Sequence, residues 1–161
     1  MNEITYFTHM ESPVGRLTLA GNEAALRRVS FGTHRRDGWR RSDAALSEAR
    51  AQLEQYFAGE RDKFDLALDL RGTAFQKSVW DALLTIPYGE TCSYGEIARQ
   101  VGRPDRARAV GAANGSNPVA IIVPCHRVIG SDGSLTGYGG GLERKRWLLD
   151  HEAGVAQLAT A

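Results

Sequence analysis

Val119-Ala120-Ile121-Ile122-Val123-Pro124-Cys125-His126-Arg127-Val128-Ile129-Gly130 is the stretch around which the chain is organised. An apolar run drives into Pro-Cys-His-Arg and a shorter apolar pair leads out. The run reads as a buried strand, and Pro124 presets the backbone ahead of Cys125. A free cysteine in apolar surroundings is by default a small buried hydrophobe. The neighbours supply what a nucleophile needs instead. The thiolate attacks, and a base or a positive group produces it; His126 and Arg127 are one of each. Adjacent residues of an extended chain point to opposite sides. A direct contact of His126 with the sulfur therefore requires the backbone to turn, and otherwise a water bridges the two.

The chain has 161 residues, enough for one domain or two small ones. Hydrophobic residues at 42% and charged residues at 24% place it among soluble globular proteins. No run of about 18 apolar residues suggests a membrane span, and Met1-Asn2-Glu3-Ile4-Thr5 lacks the basic and apolar regions of a secretory signal. With two cysteines and no export signal, a reducing cytoplasm without disulfides is expected. The histidines (9, 34, 126 and 151) and the cysteines show no paired ligand spacing, which argues against a metal site. Net charge is only +1, but between Arg99 and Arg127 five arginines face one acid, Asp105. Only Lys63, Lys77 and Lys145 are lysines. The planar fork of arginine suits phosphate recognition, although Arg-rich usage throughout a genome gives the same excess.

Residues 1–70 read as a small α/β domain. Strands are expected at Ile4–Thr8, at Arg16–Ala20, where alternation marks a half-buried strand, and at Ala25–Phe31. The turns Ser12-Pro13-Val14-Gly15 and Gly21-Asn22 join them into an antiparallel meander. Gly32 to Arg41 reads as a polar, Arg-rich loop, solvated or touching an anionic partner. Asp43 is expected to cap a helix from Ala44 to Ala58, with Leu46, Ala49, Leu53, Tyr56 and Phe57 on its buried face.

Residues 73–154 read as a mostly helical domain. Thr73 and Gln76 form a capping box ahead of a stripe of Phe75, Val79, Trp80, Leu83 and Leu84. Ser93 and Glu96 form a second box, opening a helix to about Val101. After the turn Gly102-Arg103-Pro104, Asp105 is expected to cap a helix from Arg106 to Ala113. Two short helices joined this way make a helix-turn-helix candidate. The second carries Arg106 and Arg108 on a body of Ala107, Ala109, Gly111, Ala112 and Ala113. Small side chains allow a bulky partner, or simply another helix, to approach closely. Leu135 to Gly141 is glycine-rich with one aromatic, Tyr138, and Leu142 to Glu152 is the last helix. Residues 155–161 read as a frayed tail.

From Thr73 to Glu152 these pieces come in one familiar order. Ser93-Tyr94, Arg106-Ala107-Arg108-Ala109-Val110-Gly111, Asn117-Pro118, Pro124-Cys125-His126-Arg127-Val128-Ile129, Gly137-Tyr138-Gly139-Gly140, Trp147-Leu148-Leu149 and His151-Glu152 follow one another. That half of the chain resembles the O6-alkylguanine-DNA alkyltransferases, in their bacterial Ogt-like form. The resemblance implies a two-domain α/β fold: an antiparallel sheet with a helix, ribonuclease H-like, then a mostly helical domain with a helix-turn-helix. It implies suicide repair without a cofactor. Cys125 would accept the alkyl group of O6-alkylguanine, and of O4-alkylthymine, from a base flipped out of double-stranded DNA. His126 would deprotonate the thiol through a water, Glu152 would hold His126, and Asn117 would brace the turn. Arg108 would fill the space left by the base. Tyr94 would help to rotate the nucleotide and protonate the departing guanine. Arg106, Ala107, Ala109, Gly111 and Ala112 would meet the minor groove, and Tyr138, Gly139 and the Val128 backbone would line the pocket. A monomer that can assemble cooperatively on DNA is implied.

Two departures are visible. Some relatives hold zinc in the N-terminal domain with Cys and His ligands, whereas residues 1–70 contain no Cys, so none is expected. Position 139 is Gly where mammalian members place Ser, which leaves pocket width open. The residues also fit a non-catalytic alkylated-DNA-binding module or regulator with a structural Cys125, or a thiol hydrolase using Cys125, His126 and Glu152. Proteins of the family that only bind alkylated DNA lack the acceptor cysteine, and Cys125 argues against that class.

Overall fold

The computed structural model describes residues 4–154. The chain divides into two compact units, Met1–Arg71 with Pro118–Ile122, and Gly72–Asn117 with Val123–Ala161. The first unit holds strands β1 (Tyr6–Met10), β2 (Leu17–Gly21), β3 (Leu26–Phe31) and β4 (Arg40–Arg41), followed by helix α1 (Ser47–Phe57). The sheet order is β3-β2-β1-β4. The first three strands are the expected antiparallel meander, and β4 adds a parallel edge strand against Tyr6 and Phe7 from the end of the Arg-rich loop. Central β2 is buried along its whole length rather than half-buried. Thr18, a polar residue of the alternation, lies at 0% exposure because its hydroxyl donates to Gly32 O at 2.7 Å and accepts from His34 N at 3.0 Å. At the end of β2 only glycine fits: a Cβ on Gly21 would stand 2.5 Å from Ala25 O.

Helix α1 starts later than the pattern indicated, and Asp43 does not cap it. Leu46 occupies the N-cap without a side-chain bond, while the Asp43 carboxylate accepts from Thr8 Oγ1 at 2.5 Å. Leu46, Ala49, Leu53 and Tyr56 are buried on its inner face, Tyr56 with Phe64 at 5.5 Å between ring centroids.

The segment Val119–Val123 is not a strand. Val119 makes a single bridge to Val29, and Ile122 N then donates to Ala120 O at 2.8 Å across Ile121, whose φ is +72°. This is a γ-turn of the strained, positive-φ kind, rare for a β-branched residue. Complete burial of Val119 and Ile121 explains why the run is apolar without being extended.

The second unit packs α2 (Ala74–Leu83), α3 (Tyr94–Gln100) and α4 (Ala107–Gly115) against one another. It adds the short parallel pair β5 (Cys92–Ser93) and β6 (Val128–Ile129), then α5 (Leu142–Glu152). Both capping boxes form. Gln76 N donates to Thr73 Oγ1 at 3.1 Å while Thr73 N donates to Gln76 Oε1 at 2.9 Å, and Ser93 and Glu96 repeat the exchange. Trp80 fixes α2 on α4 through Nε1–H to Ala113 O at 2.9 Å. Leu84 is 45% exposed and Phe75 only half-buried, because α2 ends at Leu83 and the stripe narrows to Val79, Trp80, Ala82 and Leu83. Asp105 does not cap α4; Arg106 holds that position without a side-chain bond. Asn114 and Gly115, beyond the expected end at Ala113, lie within the helix. Among the described residues no helix is long and apolar enough to cross a membrane.

Thr73→Ala removes one half of an exposed, complete box. It is expected to cost about 1 kcal/mol, read as a lower urea midpoint at unchanged slope.

Candidate active site

Cys125 is presented by consecutive tight turns. Pro124, at φ −83° and ψ 62°, lies under a bond from Cys125 N to Val123 O of 2.8 Å, an inverse γ-turn. Cys125–Arg127 then form a single 3₁₀ turn, closed by Arg127 N to Pro124 O at 3.0 Å. The backbone thus turns at the cysteine rather than leaving it in an extended exit. Two asparagines from α4 and its exit hold these turns. Asn117 Nδ2 donates to Val123 O at 2.8 Å, and Asn114 Nδ2 donates to Cys125 O at 3.3 Å. Asn114 was not singled out from the sequence. Its only signal was a polar residue on the apolar face shared by Val110 and Ala113.

His126 and Glu152 are brought together: Nε2 lies 2.7 Å from Glu152 Oε2, with the side chains 0% and 1% exposed. Burial pushes the His126 pKa below its ordinary value, against the pull of the Glu152 bond and charge. The ring is therefore neutral at pH 7. With Nε2–H given to the carboxylate, Nδ1 is left as an acceptor. That atom is buried and makes no hydrogen bond among the described residues. Burial raises the Glu152 pKa, but hydrogen bonds from His126 and Arg127 prevail and hold it at about 2.

Arg127 is not a partner of the thiol. Its Nε and Nη2 grip Glu152 Oε1 and Oε2 at 2.6 and 3.0 Å, and Nη1 donates to Ile86 O at 2.7 Å. The positive group acting on Cys125 is Lys145, which sequence reasoning passed over. In Arg144-Lys145-Arg146 it reads as part of a solvated basic run, yet it is fully buried and its Nζ donates to Thr136 O at 3.0 Å. Its signal was spacing: Lys145, Leu148 and Glu152 share the buried face of α5. Burial pushes the Cys125 thiol pKa up, while the Asn117 amide, the Lys145 charge and the Tyr138 hydroxyl oppose that rise. Burial, followed by the charge of Cys125, keeps the Tyr138 hydroxyl protonated far past neutrality.

The other sequence-predicted residues are spread over β6, the loop before α5, and helices α3 and α4. Val128 is buried beside Cys92 in the β5–β6 pair. Gly139 is exposed, and a Cβ built on it meets nothing within 4 Å. Tyr94, at the start of α3, shares a 2.7 Å hydrogen bond with Thr136 Oγ1 and passes under Gly111. On α4, Arg108 and Ala112 are exposed one turn apart, and Ala107, Ala109 and Gly111 are partly exposed. Arg106 is exposed with its guanidinium 5.5 Å above the Phe75 ring. Among the described residues no three His, Cys, Asp or Glu side chains gather as a metal site would need.

A buried cysteine, a neutral histidine and a clasped carboxylate, carried by a helical unit that follows a small sheet unit, define a cysteine-centred protein of two-domain α/β class. Residues 5–70 match the 6-O-methylguanine DNA methyltransferase, ribonuclease-like domain, and residues 74–154 match the 6-O-methylguanine DNA methyltransferase, DNA binding domain. The chain belongs to the 6-O-methylguanine DNA methyltransferase family. It is 59% identical over 151 residues to the methylated-DNA–protein-cysteine methyltransferase of Mycobacterium tuberculosis strain H37Rv, spanning 91% of this chain and 92% of that one. To the protein of the same name from Methanosarcina acetivorans it is 53% identical over 152 residues, spanning 91% and 97%. In structure it is similar to Mycobacterium tuberculosis OGT in complex with DNA, with a TM-score of 0.90 and 57% identity over 95% of this chain and 96% of that one.

The clasp has an acid signature. His126 titrates below its ordinary 6.5, so as pH falls through 6.5 the unfolded chain takes a proton that the fold refuses. Glu152 repeats this between 4.5 and about 2. Urea midpoints are expected to fall in both windows. Glu152→Gln removes the lower step and, by leaving Arg127 buried without its counter-charge, lowers stability at pH 7 by about 3 kcal/mol.

Proposed function

We propose that this chain is a direct-reversal DNA-repair methyltransferase, which moves the alkyl group of O6-alkylguanine, and of O4-alkylthymine, in double-stranded DNA irreversibly to Cys125. The observation that carries the reading is the Glu152–His126 pair, its histidine next in sequence to Cys125, with His126 neutral and Nδ1 the acceptor. A neutral thiol in an apolar setting needs a base, and a water between Sγ and Nδ1 passes its proton to His126. The Lys145 charge and the donors Asn117 and Tyr138 support the thiolate. The sulfur attacks the alkyl carbon, the S–C bond forms and the C–O6 bond breaks. The electron pair stays on guanine, whose ring takes a proton from Tyr94. The product is a thioether, which water does not readily cleave, so each molecule acts once and no cofactor takes part.

The alkylated oxygen is hidden in the duplex, so the base must leave the stack. Helices α3 and α4 act as a helix-turn-helix. The second helix enters the minor groove through Arg106, Ala107, Ala109, Gly111 and Ala112, and Arg108 occupies the space of the flipped nucleotide. Exposure of Arg108 and Ala112 on one face supports this. Tyr138, Gly139 and the Val128 backbone line the base pocket. The protein works in the cytoplasm as a monomer that can assemble along DNA.

Intact mass spectrometry after mixing with a duplex carrying one O6-methylguanine tests the chemistry. A gain of one methyl, about 14 Da, is expected, stopping at one per protein and absent in Cys125→Ser. Unchanged mass with DNA binding retained would make the protein a binding module, and turnover of an activated ester would make it a hydrolase. Arg108→Ala is expected to slow repair of duplex about tenfold or more while leaving reaction with the free alkylated base nearly unchanged. Equal losses on both substrates would remove the extrusion role.

A further inference from the structure

The sheet unit carries a charged cavity that the chemistry of Cys125 does not use. Strand β3 is irregular: Gly21 pairs with Leu26 and Ala20 with Arg28, so Arg27 has no residue opposite it. Such a bulge re-aims neighbouring side chains. Arg27 and Arg28, which would face opposite sides of a regular strand, line one cavity of about 310 Å³ together with Arg36, Trp39, Asp69 and Arg71. That volume is at the lower end of small-molecule sites.

Among the described residues four guanidiniums there meet one carboxylate. Asp69 takes Arg27 Nε at 3.0 Å and Arg71 Nη2 at 2.9 Å, and Arg27 Nη1 also reaches Thr5 Oγ1 at 3.2 Å. The Arg28 and Arg36 side chains form no hydrogen bond or ion pair among the described residues. Arg28 is half-buried, and its pKa is lowered by burial and by the charge of Arg36. Two like charges thus line one cavity with no counter-ion among the described residues. The Arg36 guanidinium lies 5.9 Å over the Trp39 ring, which packs on Phe7 at 6.2 Å between centroids. Paired forks short of negative charge match the oxygens of a phosphate group.

We propose that this cavity binds a phosphate group between Arg28 and Arg36, with Arg27, Arg71 and Asp69 as its already neutralised wall. The phosphate belongs either to a small phosphorylated molecule or to a DNA backbone; only the second source rests on the function proposed above. The full chain is compared with Arg36→Ala, Arg28→Gln and Arg28→Lys. Arg35→Ala serves as control, since Arg35 is exposed over Phe7 at 5.3 Å and does not line the cavity.

Inorganic pyrophosphate is titrated by calorimetry in one arm. Undamaged duplex is titrated at several salt concentrations in the other. Arg36→Ala and Arg28→Gln are each expected to weaken at least one probe about tenfold, with Arg28→Lys between them and wild type. Arg35→Ala is expected to change either by less than about twofold. Loss confined to pyrophosphate assigns a small ligand. Loss confined to duplex, with a log–log salt slope shallower by about one for each arginine removed, assigns the DNA backbone. Loss of both, with pyrophosphate displacing duplex, assigns one site open to either. Unchanged binding of both probes, or an equal loss in Arg35→Ala, overturns the proposal. Methylation of Cys125 is measured separately, so its failure does not touch this result. Arg36 is exposed, so its variant keeps the fold.

Discussion

Glu152 closes α5 with its side chain 1% exposed, and it stays charged only because two consecutive residues of one 3₁₀ turn reach it. Leaving a carboxylate buried without partners costs several kcal/mol. Here the forked bond from Arg127 and the bond from His126 offset that cost. Because the partners are adjacent, satisfying Glu152 fixes the turn itself, and Cys125 is the first residue of that turn. Arg127 extends the constraint to Ile86 O and lies 5.7 Å over the Tyr88 ring. The end of α2, the cysteine turn and the end of α5 are therefore tied through one guanidinium. Asn114 and Asn117 hold the same turns from the side of α4.

This clasp also sorts the charges. Arg127, next but one to the cysteine in sequence, has its guanidinium taken up by Glu152 and makes no hydrogen bond to the sulfur among the described residues. The cation whose charge acts on the sulfur is Lys145, seven residues before Glu152 on the same helix. A buried lysine held by a single carbonyl, Thr136 O, is costly. Its cost falls when the sulfur becomes a thiolate, so the thiolate and the ammonium stabilise each other. On the proposed reading that mutual dependence favours the ionised sulfur without displaying a reactive thiolate to solvent.

Local signals were legible and relayed ones were not. Thr73 with Gln76, and Ser93 with Glu96, announced their helices because a capping box is complete within four residues. The span Leu142–Glu152 was read as the last helix and forms as α5, and the Pro124–Arg127 motif marked the site through its resemblance to a family. Val119–Val123 misled because β-branched residues suggest a strand, while a γ-turn at Ile121 leaves no mark in composition. Asp43 and Asp105 carry good capping chemistry, but Thr8 claims the first carboxylate, and Arg106 stands at the cap of α4. The role of Arg127 depended on a carboxylate 25 residues away. Lys145 was hidden by its charged neighbours, although its place on the face of Leu148 was readable.

On the proposed reading, in which His126 is the base for Cys125, the balance at His126 links folding to reactivity. Burial alone makes the imidazole neutral but also a poor base, since whatever disfavours its cation weakens its hold on a proton. Glu152 works in the opposite direction by stabilising that cation. The ring is thereby neutral at rest and still able to accept a proton, which a base for a buried thiol requires. A stronger pull would come from freeing Glu152 of Arg127, but that would loosen the turn that positions Cys125. A tighter grip by Arg127 would draw charge away from His126. The carboxylate is shared between a structural partner and a chemical one, so the stability of the turn and the strength of the base cannot be tuned independently.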